Sequence, residues 1–136
     1  MLNKLILAII LVESGGNPRA VSPKNAKGLM QLTDIGALEA ERVEGVNCDD
    51  LFDPQINKTC GVALFNYYLR VGRGSIRKAL ILYNSGYYGL RARKLPRETR
   101  EYLGKVCALA NCETFLETSI WGPVWIVQPD PLRRLP

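Results

Sequence analysis

One carboxylate stands at the point where an apolar helix is predicted to end. Glu13 lies in the stretch VESGGNP, which directly follows the apolar run LILAIIL. The sequence contains no histidine, so a proton-transfer group in this chain has to be a carboxylate, a lysine, a tyrosine or a cysteine. A carboxyl group in an apolar, partly dry environment tends to stay protonated and can act as a general acid. Glu13 is therefore the first candidate for acid catalysis.

Glu13 taken alone also has ordinary explanations. It could be a solvated helix end, the tail of a signal peptide, or a helix stop that happens to contain a glutamate. Other polar residues are equally ambiguous when taken singly, because a glutamine such as Gln31 is usually on the surface. A tyrosine on an apolar stripe, such as Tyr83, usually packs in the core with its hydroxyl at the rim. The combination of motifs is more specific than any one of them.

Four blocks occur in a fixed order along the chain. They are the Glu-Ser pair at 13–14, SPKNAKGLMQ at 22–31, LYNSG at 82–86 and ETREYL at 98–103. Over residues 3–106 this order resembles the catalytic core of the soluble lytic transglycosylases, relatives of goose-type lysozyme. The resemblance implies a mainly α, lysozyme-like helical domain with little or no sheet. It also implies a peptidoglycan lytic transglycosylase.

The resemblance assigns a role to each matching position. Glu13 corresponds to the family's single catalytic acid/base, which cleaves the bond between N-acetylmuramic acid and N-acetylglucosamine and leaves a 1,6-anhydro end. Ser22 corresponds to a serine that forms hydrogen bonds near this glutamate. Gly28 lets the chain pass close to the sugar, and Gln31 contacts the glycan. Substrate-binding or supporting roles in the second half of the chain fall to Tyr83, Asn84, Glu98 and Tyr102.

The chain departs from the family pattern after GLMQ. Leu32, Thr33 and Asp34 follow, where the family has a hydrophobic or small residue and a proline. Asp34 adds a carboxylate near the expected cleft, and the interval between LYNSG and ETREYL is short. Two alternatives therefore stay open: a muramidase of the same fold, for which Asp34 is the sequence argument, and a non-catalytic wall-binding component of a phage or secretion apparatus.

The apolar run ahead of Glu13 is predicted to form the first helix of the fold. Leu2, Ile6, Ile9 and Glu13 lie on one stripe at helical spacing. The opposite side is also apolar, which predicts a helix that is covered nearly all round. Lys4 and this run imitate a signal peptide, but no small-residue cleavage site precedes Glu13. The run is too short to span a bilayer, so we expect no stable membrane insertion.

Capping and breaking residues predict the remaining helices. A short helix is expected over 29–43, and the Asp53-Pro54 pair predicts another that ends at Gly72. Ser75 is expected to cap a helix over 76–84, with Gly86 at its C-terminal end. The last helix begins at Pro96 or Arg97. These elements are summarised as a lysozyme-like domain over 1–121 and a proline-rich tail over 122–136, whose four prolines exclude a long helix.

Composition narrows the class of partner. With 136 residues, 47% of them hydrophobic and 23% charged, the chain is expected to be one globular domain and a monomer. Its formal charge of +5 favours an anionic partner, here peptidoglycan glycan strands. No aromatic-interleaved basic block or zinc-finger spacing occurs, so we predict no nucleic-acid binding, no metal and no cofactor.

The four cysteines bear on the compartment. Cys48, Cys60, Cys107 and Cys112 allow three pairings, and the sequence does not select one. Reduced thiols in a cytosol are as compatible with the spacing as disulfides are. The predicted activity places the protein in the periplasm or cell wall, with a virion-associated or phage-encoded origin among the possibilities and no secure signal peptide.

Overall fold

The computed structural model of the protein describes residues 2–111 and the backbone of two short strands. The five helices are α1 (Leu2–Ser14), α2 (Asp34–Glu44), α3 (Pro54–Val71), α4 (Ile76–Arg91) and α5 (Arg97–Ala110). Strands β1 (Leu116–Ser119) and β2 (Gly122–Trp125) pair with each other antiparallel. The mainly α fold with little sheet that the sequence predicts is confirmed.

The chain divides into two compact units, residues 1–67 and residues 68–136. The first unit contains α1, α2 and most of α3. The second contains α4, α5 and the hairpin, and α4 packs against α5 within it. The expected boundary between a domain at 1–121 and a tail at 122–136 stays a prediction. In the part of the chain that the structure describes, no helix has the length and apolar character needed to cross a membrane.

Helix α1 is less enclosed than its sequence predicts. Ile6 and Ile9 on the predicted inner stripe are buried, but Leu2 is exposed in the first turn. Leu7 and Leu11 are 56% and 53% exposed, so the expectation that the helix is covered nearly all round is wrong. The two leucines are four residues apart and therefore share one face. An apolar composition on all sides does not by itself bury every side.

Helix α2 begins later than predicted, at Asp34 instead of near residue 29. The reason is a pair of backbone hydrogen bonds between Lys27 and Leu32, of 2.9 and 3.0 Å, which closes the residues between them into a turn. Thr33 then acts as the N-cap, because its hydroxyl accepts a hydrogen bond from the backbone N–H three residues further on. The segment 27–31 is thus a separate element, here called the 27–31 turn.

The starts of α3 and α4 agree with the capping residues in the sequence. Asp53 Oδ1 accepts hydrogen bonds from the backbone N–H groups of Gln55 and Ile56, at 2.9 and 3.0 Å. Ser75 Oγ accepts one from Lys78 N at 3.2 Å. These bonds satisfy donors that a helix N-terminus otherwise leaves open. Both predicted caps are confirmed.

A single buried amide, that of Asn57 on α3, holds the 27–31 turn in place. Asn57 is completely buried, and its Oδ1 accepts a 2.8 Å hydrogen bond from Met30 N. Its Nδ2 donates to Lys27 O and to Leu51 O, each at 2.8 Å. Both amide hydrogens and the oxygen are therefore used on backbone groups that would be costly to bury unpaired.

Two glycines allow this close packing. Gly28 has φ +79°, and a Cβ at this position would overlap the Leu51 carbonyl and the Asn57 amide. Gly61 lies one helical turn after Asn57, and a Cβ there would overlap Met30. Met30 is also fully buried. The 27–31 turn therefore packs against α3 at two successive turns of the helix, at Asn57 and at Gly61.

A disulfide strengthens the same region. Cys48, in the loop after α2, is bonded to Cys60 of α3. Closing this short loop stabilises a fold by about 2–4 kcal/mol, mainly through the unfolded chain. Cys107 is also disulfide-bonded, while Cys112 lies outside the described residues. The alternative of reduced thiols is thereby excluded for Cys48, Cys60 and Cys107.

Helix α4 is interrupted at Gly86, where the sequence predicts its C-terminal cap. Gly86 has φ 66° and ψ −161°, a combination that is essentially restricted to glycine. A second helical segment follows and continues to Arg91, which the sequence did not predict. Just before the break, the Ser85 hydroxyl donates to Ile81 O at 3.1 Å. The break separates the LYNSG motif from an exposed segment beyond it.

Gly28→Ala and Gly16→Ala test how tightly the 27–31 turn is packed. Both glycines have a positive φ, but a Cβ on Gly16 would meet no atom within 4 Å. We expect Gly16→Ala to cost about 1–2 kcal/mol from backbone strain alone. Gly28→Ala should cost about 1–3 kcal/mol more because of overlap with Asn57. Urea unfolding of both variants measures the difference, and equal losses would contradict the packing described.

Gly86→Ala and Gly104→Ala form a second matched pair. Neither added Cβ meets an atom within 4 Å, but only Gly86 has a positive φ. Gly86→Ala should lower the free energy of unfolding by about 1–3 kcal/mol. Gly104→Ala, inside helix α5, should raise it by roughly 0.5–1 kcal/mol. Thermal unfolding followed by circular dichroism checks both signs, and a neutral Gly86→Ala would mean that α4 can run straight.

Candidate active site

Glu13 is the penultimate residue of α1 and is half-buried. The helix ends directly after it, where Ser14 Oγ donates to Ile10 O at 3.1 Å and accepts from Gly16 N at 3.1 Å. Gly15 and Gly16 then take φ values of 62° and 83°. These two left-handed glycines turn the chain away from the helix immediately. The half-buried carboxyl group of Glu13 therefore lies at a sharply terminated helix end.

Ser22 closes a tight turn in the loop that follows. Its Oγ accepts hydrogen bonds from Lys24 N at 3.2 Å and from Ala26 N at 3.0 Å. Its backbone N–H donates to Ala26 O at 2.9 Å. Since a hydroxyl has two acceptor lone pairs and one hydrogen, these bonds use the lone pairs and leave the hydrogen. Ser22 can thus still donate a hydrogen bond.

The side chain of Gln31 uses its hydrogen-bond donors within the protein, whereas Ser22 uses its acceptor lone pairs. Its Nε2 donates to Ala20 O at 3.1 Å and to Gly28 O at 3.0 Å, so both amide hydrogens are engaged. The two carbonyl acceptors also determine which end of the amide is nitrogen. Gln31 has φ 53°, a left-handed value that is unusual for a residue other than glycine. What Gln31 can offer a ligand is its Oε1, a hydrogen-bond acceptor.

Gly28 is buried within the 27–31 turn. Its close neighbours in the structure are Leu51 and Asn57, so an intramolecular contact already explains the need for glycine. The close approach to a sugar that the resemblance implies for Gly28 stays a prediction.

In the second unit, two motifs meet through a residue that the sequence did not single out. Thr99 Oγ1 donates a 2.8 Å hydrogen bond to Asn84 Oδ1. Thr99 is buried, whereas Asn84 has intermediate exposure. The bond joins LYNSG on α4 to ETREYL on α5. Tyr83, also half-exposed, packs edge-on against Tyr68 with ring centroids 6.5 Å apart.

The two remaining candidates of the fourth motif differ in exposure. Tyr102 is buried in α5, on the side of the helix that carries Thr99 and Val106. Glu98 lies in the first turn of α5 and is exposed. A carboxylate in the first turn of a helix is favoured by the partial positive charge there. The link to Asn84 therefore runs through Thr99, and Glu98 faces solvent.

Asp34, the departure from the family pattern, is the first residue of α2. Its Oδ1 lies 3.2 Å from Lys27 Nζ, and the Asp34 side chain is 69% exposed. It lines a cavity of about 520 Å³ together with Leu38, Glu41 and Phe52, among other residues. The helix start and the neighbouring ammonium account for an aspartate here. No group of three or more His, Cys, Asp or Glu suited to a metal occurs within the described residues.

The candidates fall into two sets. Glu13, Ser22, Gly28 and Gln31 belong to the unit at 1–67, and Tyr83, Asn84, Glu98 and Tyr102 belong to the unit at 68–136.

Sequence reasoning missed Asn57 and Thr99. Asn57 had no local signal, because a polar residue in a helix is usually exposed. Thr99 could have been found from its spacing to Leu103 and Val106, which places it on the buried face of α5.

Comparison with known proteins is consistent with these motifs. Residues 1–102 match the family model described as the transglycosylase SLT domain. The membrane-bound lytic murein transglycosylase E of Buchnera aphidicola subsp. Baizongia pistaciae is 46% identical, over 46% of this chain and 32% of that protein.

The fold of this chain resembles those of solved structures. An inactive mutant of the lytic transglycosylase Slt from Pseudomonas aeruginosa superposes with a TM-score of 0.69 and 27% identity, over 79% of this chain and 20% of that one. The 70 kDa soluble lytic transglycosylase from Escherichia coli gives a TM-score of 0.58 and 25% identity, over 76% and 16%. The chain thus spans only a third or less of the length of these relatives. With the family match extending over most of its sequence, the chain belongs to the transglycosylase SLT domain family.

Proposed function

We propose that this chain is the catalytic domain of a lytic transglycosylase, which cleaves the β-1,4 bond between N-acetylmuramic acid and N-acetylglucosamine in peptidoglycan. The observation that carries the proposal is a half-buried glutamate, Glu13, at a sharply ended helix in a chain of the transglycosylase SLT family. Because the chain covers a minor part of its relatives' length, activity and substrate are proposed here for this domain.

Glu13 is proposed to act twice. As an acid it protonates the glycosidic oxygen while the bond to C1 breaks and the N-acetylglucosamine end leaves. As a base it then takes the proton of the C6 hydroxyl while O6 bonds to C1, which gives a 1,6-anhydro ring. The glutamate regains its proton, and no water is consumed.

The position of Glu13 suits its first role. Glu13 is half-buried at the end of α1, one helical turn after the buried Ile9 and Ile10. A general acid has to come within hydrogen-bond reach of the oxygen that it protonates. The partial exposure of Glu13 allows a glycan to approach its carboxyl group.

A one-carboxylate mechanism is supported by the surroundings of Asp34. Most glycosidases use a second carboxylate as nucleophile or as the base that activates water. Asp34 is engaged by Lys27 at the start of α2, where its charge has a structural explanation. This contact weakens the one sequence argument for a muramidase.

Ser22 and Gln31 offer opposite hydrogen-bonding groups. Ser22 has a hydrogen to donate, which suits a carboxylate or a carbonyl oxygen. Gln31 has an oxygen to accept with, which suits a sugar hydroxyl or the N–H of an N-acetyl group. We propose that Gln31 recognises a donor on the glycan.

The disulfide chemistry supports the proposed compartment. Disulfides such as Cys48–Cys60 persist in oxidising compartments and are rare in the cytosol. Action on murein in the periplasm or cell wall fits this requirement. Delivery by a phage or a secretion apparatus stays a prediction.

Glu13→Gln and Asp34→Asn together test the mechanism. Digestion of purified sacculi, followed by mass spectrometry of the soluble muropeptides, should give 1,6-anhydro ends with the unmodified protein. Glu13→Gln should lower the rate by about 10²–10⁴-fold, because an amide cannot exchange the proton. Asp34→Asn should leave the product and, within a factor of about two, the rate unchanged, since an exposed ion pair contributes little.

Other outcomes of the digestion identify the alternatives. Reducing ends from the unmodified protein would establish a muramidase. Activity in Glu13→Gln would remove the assignment of the acid. Binding to sacculi with no soluble muropeptide released would favour a non-catalytic wall-binding component.

Thr99→Val tests the link between the third and fourth motifs. The change keeps the side-chain shape but removes the donor to Asn84, which should cost about 1–2 kcal/mol of stability. Because Asn84 then lacks its restraint, we expect kcat on sacculi to fall more than the stability loss explains. Thr99→Ser keeps the hydroxyl and should retain most activity. Equal kcat values for Thr99→Val and Thr99→Ser would show that the bond is structural only.

A further inference from the structure

We propose that residues 87–94 form a second contact surface for peptidoglycan, which binds the carboxylates of its peptide stems. The surface, called the Tyr-Arg surface below, consists of Tyr88, Arg91, Arg93 and Lys94. It rests on the proposed function, which concerns the glycan strand, and it adds a site for the peptides that the strand carries.

Residues 87–94 carry positive charge only. They hold three basic residues, Arg91, Arg93 and Lys94, and no acidic one, a net charge of +3. They belong to a longer basic stretch, because the sequence between Asp53 and Glu98 contains no acidic residue. A group of like charges attracts an anionic partner to that place.

The three cations of the Tyr-Arg surface are not neutralised by carboxylates of the described residues. Arg91, Arg93 and Lys94 are exposed, and the described residues place no carboxylate in an ion pair with any of them. Arg97, by contrast, is paired with Glu101 at 2.9 Å. Unpaired guanidinium and ammonium groups retain all their donors for carboxylate oxygens.

Exposed aromatic side chains lie beside these cations in the sequence. Tyr88 is 76% exposed, one of the most exposed large side chains in the described residues. Arg91 lies over the neighbouring Tyr87 ring, with Cζ 5.6 Å from the ring centroid, which holds the guanidinium in place. A tyrosine with an apolar ring and a polar tip suits a wet partner that is part sugar and part peptide.

The Tyr-Arg surface directly follows the motif that is expected to contact glycan. Tyr83 and Asn84 precede Gly86 on α4, and Tyr88 follows it on the segment after the break. A ligand at Tyr83 and Asn84 thus has the Tyr-Arg surface only a few residues further along the same helix. A glycan strand with charged peptide stems matches both features and is the substrate of the proposed function, and this favours it over nucleic acid.

The test is a binding experiment with the full chain and sacculi that carry no teichoic acid. One sample keeps its peptide stems, and in the other an amidase has removed them. The variant Arg93→Glu/Lys94→Glu reverses two charges of the surface. The control Lys58→Glu/Lys105→Glu makes the same change in net charge at exposed lysines of α3 and α5. Circular dichroism verifies that all variants are folded.

We expect the unmodified protein and the control to bind peptide-bearing sacculi roughly tenfold more tightly than Arg93→Glu/Lys94→Glu does. Amidase treatment of the sacculi should weaken binding by the unmodified protein to the affinity of Arg93→Glu/Lys94→Glu. It should leave the affinity of that variant unchanged. Tyr88→Ala should also bind intact sacculi more weakly. Cleavage of soluble, peptide-free glycan should be the same in all of these proteins, which separates the surface from the catalytic site.

Three results would overturn the proposal. The first is equal binding by Arg93→Glu/Lys94→Glu and its control. The second is equal binding of the unmodified protein to intact and amidase-treated sacculi. The third is a charge-reversal effect on duplex DNA with none on sacculi, which would identify a nucleic-acid surface. If no cleavage occurs with any substrate, the proposed function fails, while the binding comparison still decides the fate of the surface.

Discussion

The side-chain amide of Asn57 is the interaction on which the first unit depends. One buried residue of α3 satisfies Lys27 O, Met30 N and Leu51 O, which belong to two different loops. Each of these backbone groups would be expensive to bury without a partner. The 27–31 turn, which carries Gln31, therefore keeps its shape because a residue in another element completes its hydrogen bonds.

This arrangement determines what the turn can do chemically. With the turn closed, Gln31 Nε2 donates its two hydrogens to Ala20 O and Gly28 O. Its oxygen is then the group available to a ligand, whereas Ser22 retains its hydroxyl hydrogen. Backbone geometry thus sorts two polar residues into an acceptor and a donor, although each side chain could play either part in isolation.

The second unit is organised around a break instead of a buried amide. Gly86 ends the regular part of α4 after Tyr83 and Asn84 and starts a segment with exposed tyrosines and cations. On the other side, the buried Thr99 holds Asn84 to α5. The break at Gly86 therefore separates Asn84, which the hydrogen bond from Thr99 holds in place, from the Tyr-Arg surface, which faces solvent.

The sequence by itself determined the family, through four ordered motifs, and most helix ends, because capping by Asp53 or Ser75 and a break at Gly86 are local effects of neighbouring residues. It failed where distant residues decide. The start of α2 was misplaced because the Lys27–Leu32 pairing competes with helix, and α1 was expected to be covered although Leu7 and Leu11 face solvent. Only the tertiary structure selected the Cys48–Cys60 bond and the hydrogen bonds of Asn57 to Lys27 and Met30, since contacts across 12 to 30 residues leave no periodic or capping signal in the chain.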